Sequence, residues 1–256
     1  MSRRDATPAE LLAVMGARLL KDGGRVFAGV GVPLLASVLA QRTRAPGLTL
    51  VIEGGIIGPQ MKPGQLPIST NEMRTAYRAT MLLGITDTFL FAQRGFLDYG
   101  FIGGAQIDRH GNLNSTAIGP YDRPRVRLPG SGGANDIISL CREVIVLMPH
   151  ERRRFVERVD FVTSPGYLDG GDSRLKAGLR FGRVSAVVTT LGILGFDEST
   201  KAMRLEAVHP GVTPEDVLKQ TGFDLIVPER VETTEPPTVQ ELEILRTLDP
   251  ERRFLG

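Results

Sequence analysis

Apolar and polar positions in this chain come in blocks whose period changes along the sequence. Leu11, Leu12, Met15, Leu19 and Leu20 recur at helical spacing. Thr7-Pro8-Ala9-Glu10 opens that helix with a capping residue, a proline at the first helical position and a glutamate three residues after the cap; Gly23-Gly24 end it. A strand is predicted over 25–30, followed by the glycine turn Gly29-Val30-Gly31-Val32-Pro33 and an apolar helix over 34–42. Leu48-Thr49-Leu50-Val51-Ile52 comes next and breaks off at Glu53-Gly54-Gly55. Four of its five residues are Leu, Val or Ile, so no face is left polar and the run predicts a strand covered on both sides, as in a parallel sheet.

Residues 59–70 carry Pro59, Pro63, Gly64 and Pro67, a loop long enough to act as a lid. Asn71 is placed to cap a helix over 71–83 stopped by Gly84, and 88–92 reads as a short strand. Further strands are expected over 101–108, 143–148 and 155–163. A hairpin of 184–191 with 204–208 is expected about the turn 197–201. Thr213-Pro214-Glu215-Asp216 starts a short helix that runs toward Gly222, 223–227 is a last strand, and 239–248 an amphipathic terminal helix. The alternation predicts an α/β fold with an open, mostly parallel sheet flanked by helices and some antiparallel additions. At 256 residues the chain is expected to form one domain, with a C-terminal helical tail at about 228–256.

Composition narrows the function. Lys plus Arg total 31 against 29 for Asp plus Glu, a balance that argues against a nucleic-acid partner. The run Arg152-Arg153-Arg154 is flanked by Glu151 and Glu157 and reads as a solvated face. A single cysteine, Cys141, excludes an internal disulfide and suits a reducing compartment. His110, His150 and His209 lack ligand spacing, so no metal is expected; His110 and His150 are expected at the surface, and His209, before Pro210, in a turn. No apolar segment follows the charged residues 2–5 at signal-peptide or membrane-span length, so a cytoplasmic location without membrane attachment is expected.

Candidate chemistry centres on Glu53. The carboxyl end of a parallel strand is where open α/β sheets bind ligands, and Gly54 and Gly55 remove side chains that would bar a substrate from the carboxylate. Gly29 and Gly31 form a strand-turn-helix connection able to present amides to a phosphate or carboxylate. Gln106 through Thr116 cluster amides and hydroxyls, including Asn112 and Asn114, where a hydrogen-bonding site and a plain turn are both open readings. Pro129-Gly130-Ser131-Gly132-Gly133-Ala134-Asn135-Asp136 leaves backbone N–H groups uncovered ahead of a helix, as an oxyanion site needs and as flexible turns also do. Arg74, Tyr77 and Arg78 are within the region that follows the proline-rich loop, as carboxylate partners or a wet helix face.

Taken in order, Gly29-Val30-Gly31-Val32-Pro33, Glu53-Gly54-Gly55-Ile56-Ile57-Gly58, Gly104-Ala105-Gln106-Ile107-Asp108 through Gly111-Asn112-Leu113-Asn114, 129–136, His209 through Asp216 and Thr221-Gly222-Phe223-Asp224 resemble the beta subunit of a family I coenzyme A transferase, nearest the glutaconate branch. The resemblance spans nearly the whole chain. It implies that Glu53 is the nucleophile and forms a glutamyl-CoA thioester. It also implies that Gly132, Gly133 and one of Asn112 and Asn114 stabilise oxyanions, and that Gly29, Gly31, Gly54, Gly55, Gln106 and Ala134 line the substrate site. Coenzyme A is then a substrate and no tightly bound cofactor is required. The resemblance further implies a missing alpha subunit, in a heterotetramer or heterooctamer, and a small, dicarboxylic acyl donor. Family members typically carry Ser or Asn where this chain has Gly54, a departure that bears on acid specificity. Relatives that lost the nucleophile are ring-opening hydrolases or decarboxylases; hydrolysis, decarboxylation and a non-catalytic structural role are the alternative readings.

Overall fold

The computed structural model describes residues 6–256; the charged segment 2–5 lies outside the described residues. The chain divides into two compact units, one of residues up to Phe101 together with Pro237–Gly256, the other Ile102–Pro236.

In the first unit α1 (Pro8–Arg18) has the capping box written in its sequence: Thr7 Oγ1 accepts from Glu10 N–H, and Glu10 accepts from Thr7 N–H. Glu10 is fully buried. Burial alone would raise its pKa, but hydrogen bonds from Arg246 and Thr7 hold it below the usual value. β1 (Arg25–Phe27) leads to α2 (Val32–Arg42), then β2 (Thr49–Ile52), β3 (Ile56–Ile57), β4 (Met81–Leu82), α3 (Ile85–Gln93) and β5 (Tyr99–Ile102). The strands run in the order β5-β1-β2-β3-β4. β1 is parallel to both β2 and β5, whereas β2, β3 and β4 are successively antiparallel. Phe27, Leu34, Leu35, Leu39, Leu50 and Ile52 form the core, each contributing roughly 1.5–3 kcal/mol on leaving water. The terminal helix, Val239–Leu248, is part of this unit: Arg18 pairs with Glu241 at 2.8 Å and Arg246 with Glu10 at 2.7 Å.

Two expectations fail here. The helix over 71–83 is a single 3-10 turn, Met73–Ala76, because Arg78 takes φ +52° and the following residues pair with β3. Residues 88–92 lie in α3, not a strand. Thr88 and Ala92, four apart, are its buried positions, a spacing that a short apolar run conceals.

The second unit holds two small ladders, β6 (Gln106–Ile107) with β7 (Leu113–Asn114) and β8 (Ala117–Ile118) with β9 (Val126–Arg127). α4 (Ala134–Leu140), β10 (Glu143–Leu147), α5 (Ser173–Lys176), β11 (Arg183–Val188), β12 (Gly192–Phe196), β13 (Met203–Val208), α6 (Pro214–Lys219) and β14 (Glu232–Thr233) follow. Strand order is β14-β13-β12-β11-β10, parallel at both ends and antiparallel across β11-β12-β13. The α/β class with parallel strands and antiparallel additions is as expected. The run 101–108 is broken at Gly103-Gly104, and 155–163 and 223–227 make only isolated bridges. The 197–201 turn joins β12 to β13, a strand hidden by Gly192 and Gly195.

Arg174 organises this unit. It is 3% exposed and donates to the carbonyl oxygens of Pro165, Gly166, Ile138 and Phe181. Burial lowers its pKa. Among the described residues no carboxylate is bonded to it, so the four carbonyl dipoles must stabilise the charge.

His150 and His209 are buried, against the surface position expected for His150. His150 stacks on Phe155 at 3.9 Å and lies between the hydroxyls of Thr189 and Thr221. Thr221 gives its proton to Val217 O, so His150 Nε2 donates to Thr221; Thr189 likewise gives its proton to Gly192 O, so its hydroxyl has none left for Nδ1, 3.1 Å away. Burial drives the His150 pKa from 6.5 to about 4. Above pH 6.5 the ring is neutral whether folded or unfolded. Below it the unfolded chain binds a proton that the folded chain refuses, so stability should fall by up to about 3 kcal/mol as the pH goes from 6.5 to 4. Denaturant titrations at about pH 7 and about pH 5 should show this loss in the parent protein and a weaker slope in His150→Gln.

Among the described residues, no helix is long and apolar enough to cross a membrane.

Candidate active site

β2 ends at Ile52, and the chain reverses within three residues to enter β3. The turn is closed by Gly55 N–H donating to Ile52 O at 3.0 Å, with φ +95° at Gly55. That is a three-residue hairpin, and Glu53 is its first residue. The side chain is half-buried, and among the described residues its carboxylate has no hydrogen-bond or ion-pair partner.

The hairpin is pinned from two sides. Leu83 N–H donates to Gly55 O at 2.7 Å, and a Cβ added at Gly55 would overlap the Leu83 carbonyl oxygen. At Gly54 a Cβ would stand 2.6 Å from Asn71 Oδ1 and 2.9 Å from the Thr70 carbonyl oxygen. Asn71 thus fills the space that a side chain at position 54 would occupy.

The parallel register pairs Phe27 with Val51, and Ala28 N–H donates to Val51 O at 3.0 Å, so β1 and β2 run side by side up to their carboxyl ends. Gly29 through Gly31 then turn into α2, whose N-terminus has neither a side-chain cap nor an acid in its first turn. Among the described residues the N–H groups of Gly29 and Gly31 have no acceptor. An uncapped helix start of this kind can hold an anionic group of a ligand. The structure places Glu53, Gly54 and Gly55 in one turn after β2, and Gly29 and Gly31 in the turn after the neighbouring strand β1, all within the first unit.

In the second unit the amide side chains are spent on the fold. Asn112 is 3% exposed; its Nδ2 donates to Asp108 and to Leu168 O, and its Oδ1 accepts from Gly166 and Leu168 N–H. Burial raises the pKa of Asp108 despite these donors. Asn114, fully buried, donates to Gln106 Oε1 and Ala117 O and accepts from Thr116 and Ala117 N–H. Gln106 Nε2 donates in turn to Asp160. Asn112 and Asn114 have no spare donor, and Gln106 has one carboxamide N–H left among the described residues. Gly132 is exposed and Gly133 buried, at the start of α4, and their N–H groups have no acceptor among the described residues. The Ala134 N–H is taken by Ser131 O. Serine and asparagine hold this segment in place, through Ser115 Oγ to Gly130 O and Asn135 Nδ2 to Thr163 O.

Two clefts lie elsewhere. One of about 410 Å³ in the second unit is lined by Asp108, Arg109, His110 and Glu157 and is crossed by ion pairs, Arg109 with Glu157 at 3.3 Å and Arg158 with Asp169 at 3.7 Å. The other, about 550 Å³ in the first unit, meets β2 at Leu48 and Thr49, the end away from Glu53. Arg74 pairs with Glu72, Tyr77 lies under Lys62, and Arg78 donates to Gln60; all three are on or beside the 3-10 turn, not on a helix face.

The coenzyme A transferase family profile matches residues 9–220, a span that holds Glu53 and the glycine-rich segments. The chain belongs to the coenzyme A transferase family. The beta subunit of 3-oxoadipate CoA-transferase from Pseudomonas knackmussii is 39% identical, covering 94% of this chain and 92% of the relative. The crystal structure of glutaconate coenzyme A-transferase from Acidaminococcus fermentans matches with TM-score 0.92 and 37% identity, covering 99% of this chain and 98% of that one. The decarboxylase AibA/AibB matches with TM-score 0.82 and 28% identity over 97% of each chain. Within this family member the sequence left two features of the site unseen, Asn71 against Gly54 and Leu83 against Gly55. Neither has a local signal, since each contact joins segments distant in the chain that no periodicity relates.

Proposed function

We propose that this chain is the nucleophile-bearing beta subunit of an enzyme that moves coenzyme A between a small, dicarboxylic acyl-CoA and an acceptor acid. The observation that carries the reading is the unengaged, half-buried carboxylate of Glu53 at the carboxyl end of β2. Its oxygen attacks the thioester carbonyl, giving a mixed anhydride and CoA thiolate. The thiolate attacks the glutamyl carbonyl, expels the donor acid as carboxylate, and leaves a glutamyl-CoA thioester. An acceptor carboxylate repeats the steps in reverse. One thioester is exchanged for another, so no nucleotide hydrolysis is needed.

Each tetrahedral intermediate carries an oxyanion. We assign its stabilisation to backbone N–H groups of Gly132 and Gly133, which have no other acceptor among the described residues, at about 3 kcal/mol per donor. Asn112 and Asn114 act by holding the loop. Coenzyme A passes through as a substrate, and the reading places the enzyme in the cytoplasm.

A partner alpha subunit is part of the proposal, in a heterotetramer or heterooctamer. The anhydride must be kept from water. Around the hairpin that holds Glu53, Met73, Met81, Leu82, Ile85, Leu90 and Phe96 are exposed, Met73 at 85% and Leu82 at 63%. Large apolar side chains left exposed along residues 73–96 are what a protein interface covers, and we assign them to the alpha subunit.

The assembled enzyme, incubated with acyl-CoA and no acceptor, should carry CoA covalently on the Glu53 peptide, read as a mass shift. No adduct, together with full activity in Glu53→Ala, would overturn the reading. Sustained acyl-CoA consumption without an acceptor acid would point instead to a hydrolase or decarboxylase.

A further inference from the structure

Asn71 is packed against Gly54, one residue from the nucleophile. Its Oδ1 lies 2.6 Å from the Cβ position of Gly54, so the carboxamide takes the place of a side chain there. The residue is exposed, and among the described residues neither polar atom of its carboxamide makes a hydrogen bond. Its backbone is nevertheless held firmly. Ser69 Oγ accepts from Asn71 N–H, and Glu72 accepts from the N–H groups of Ile68 and Ser69 while pairing with Arg74 at 2.7 Å. Thr75, fully buried, donates its hydroxyl to Glu72 O. A braced loop thus presents an amide with both donors free at the hairpin tip.

We propose, resting on the transferase reading, that Asn71 binds the carboxylate of the acid that attacks the glutamyl-CoA thioester, and that position 54 is glycine to admit it. The chemistry favours a neutral donor. Before acylation Glu53 is an anion, and an arginine or lysine beside it would lock it in an ion pair and blunt its attack. After acylation Glu53 is neutral, and the incoming group is an anion that needs N–H donors to be oriented. A carboxamide serves the second state without trapping the first.

The test uses Asn71→Ala, Asn71→Asp and Gly54→Ser in the enzyme assembled with its partner subunit, with a panel of short mono- and dicarboxylic acids as acceptors. Asn71→Ala should lower kcat/KM for the acceptor acid by about 10- to 100-fold, mainly through KM, the scale of one hydrogen bond to a charged group. Asn71→Asp has the same shape but sets like charge against the acid, so it should lose more. Gly54→Ser should fall in the same direction, because its Cβ displaces the amide. The Glu53 adduct should still form from saturating acyl-CoA in both Asn71 variants. Acid kinetics unchanged in Asn71→Ala, or Asn71→Asp no worse than Asn71→Ala, with the adduct intact, overturns this inference alone. No Glu53 adduct in the parent enzyme overturns the transferase reading and the inference with it.

Discussion

Glu53→Gln should reduce transfer by on the order of 10,000-fold or more while leaving the protein folded. Glutamine matches glutamate in size but its amide oxygen is not a nucleophile, so neither the mixed anhydride nor the enzyme thioester can form. Stability should change by no more than about 0.5 kcal/mol, because the carboxylate has no hydrogen bond or ion pair to lose among the described residues. A transfer assay on the assembled variant and a thermal unfolding curve check the two halves separately. Activity above a tenth of the parent's would place the nucleophile elsewhere.

Gly55→Ala should have the opposite profile, damaging fold and activity together. Gly55 has φ +95°, a conformation that costs a residue with a Cβ about 1–3 kcal/mol, and here that Cβ would also overlap the backbone oxygen of Leu83. Backbone cannot swing aside as a side-chain tip can, so the total should be about 3 kcal/mol or more. The hairpin must open, the Leu83 to Gly55 hydrogen bond is strained, and Glu53 shifts with it. Gly54→Ala is the control. Its Cβ meets the end of the Asn71 side chain at 2.6 Å, which can rotate away, and the Thr70 carbonyl at 2.9 Å. It should cost about 1 kcal/mol. Unfolding midpoints of the two variants should separate clearly; equal midpoints would mean that the turn does not need its second glycine.

Elements whose signals are local were legible from residue order. The capping boxes at Thr7 and Thr213, the strand before Glu53 and the terminal helix all rest on contacts between near neighbours or on unbroken periodicity. Where a segment's state depends on a distant partner, the pattern misled. Met81 and Leu82 have no strong preference of their own, and pairing with β3 makes a strand of them. Gly192 and Gly195 disguised β12, which exists because β11 and β13 flank it. Asn112, Asn114 and Gln106 lie in a cluster that can form a hydrogen-bonding site, although Asn and Ser beside Gly are more often turn formers. Their partners, Gly166, Leu168 and Asp160, lie tens of residues away and settle how their amides are used.

The sequence by itself determined the α/β class, the position of one acid between a buried strand and two glycines, and the family. Each of these is encoded in consecutive residues, so composition and spacing carry it. Tertiary structure decided what surrounds that acid: β1 paired in parallel alongside its strand, Leu83 closing on Gly55, Asn71 in the gap at Gly54, and an unspent carboxylate at the tip. These are contacts between segments far apart in the chain, fixed only when the strands pair and loops pack, and no local pattern of residues specifies them.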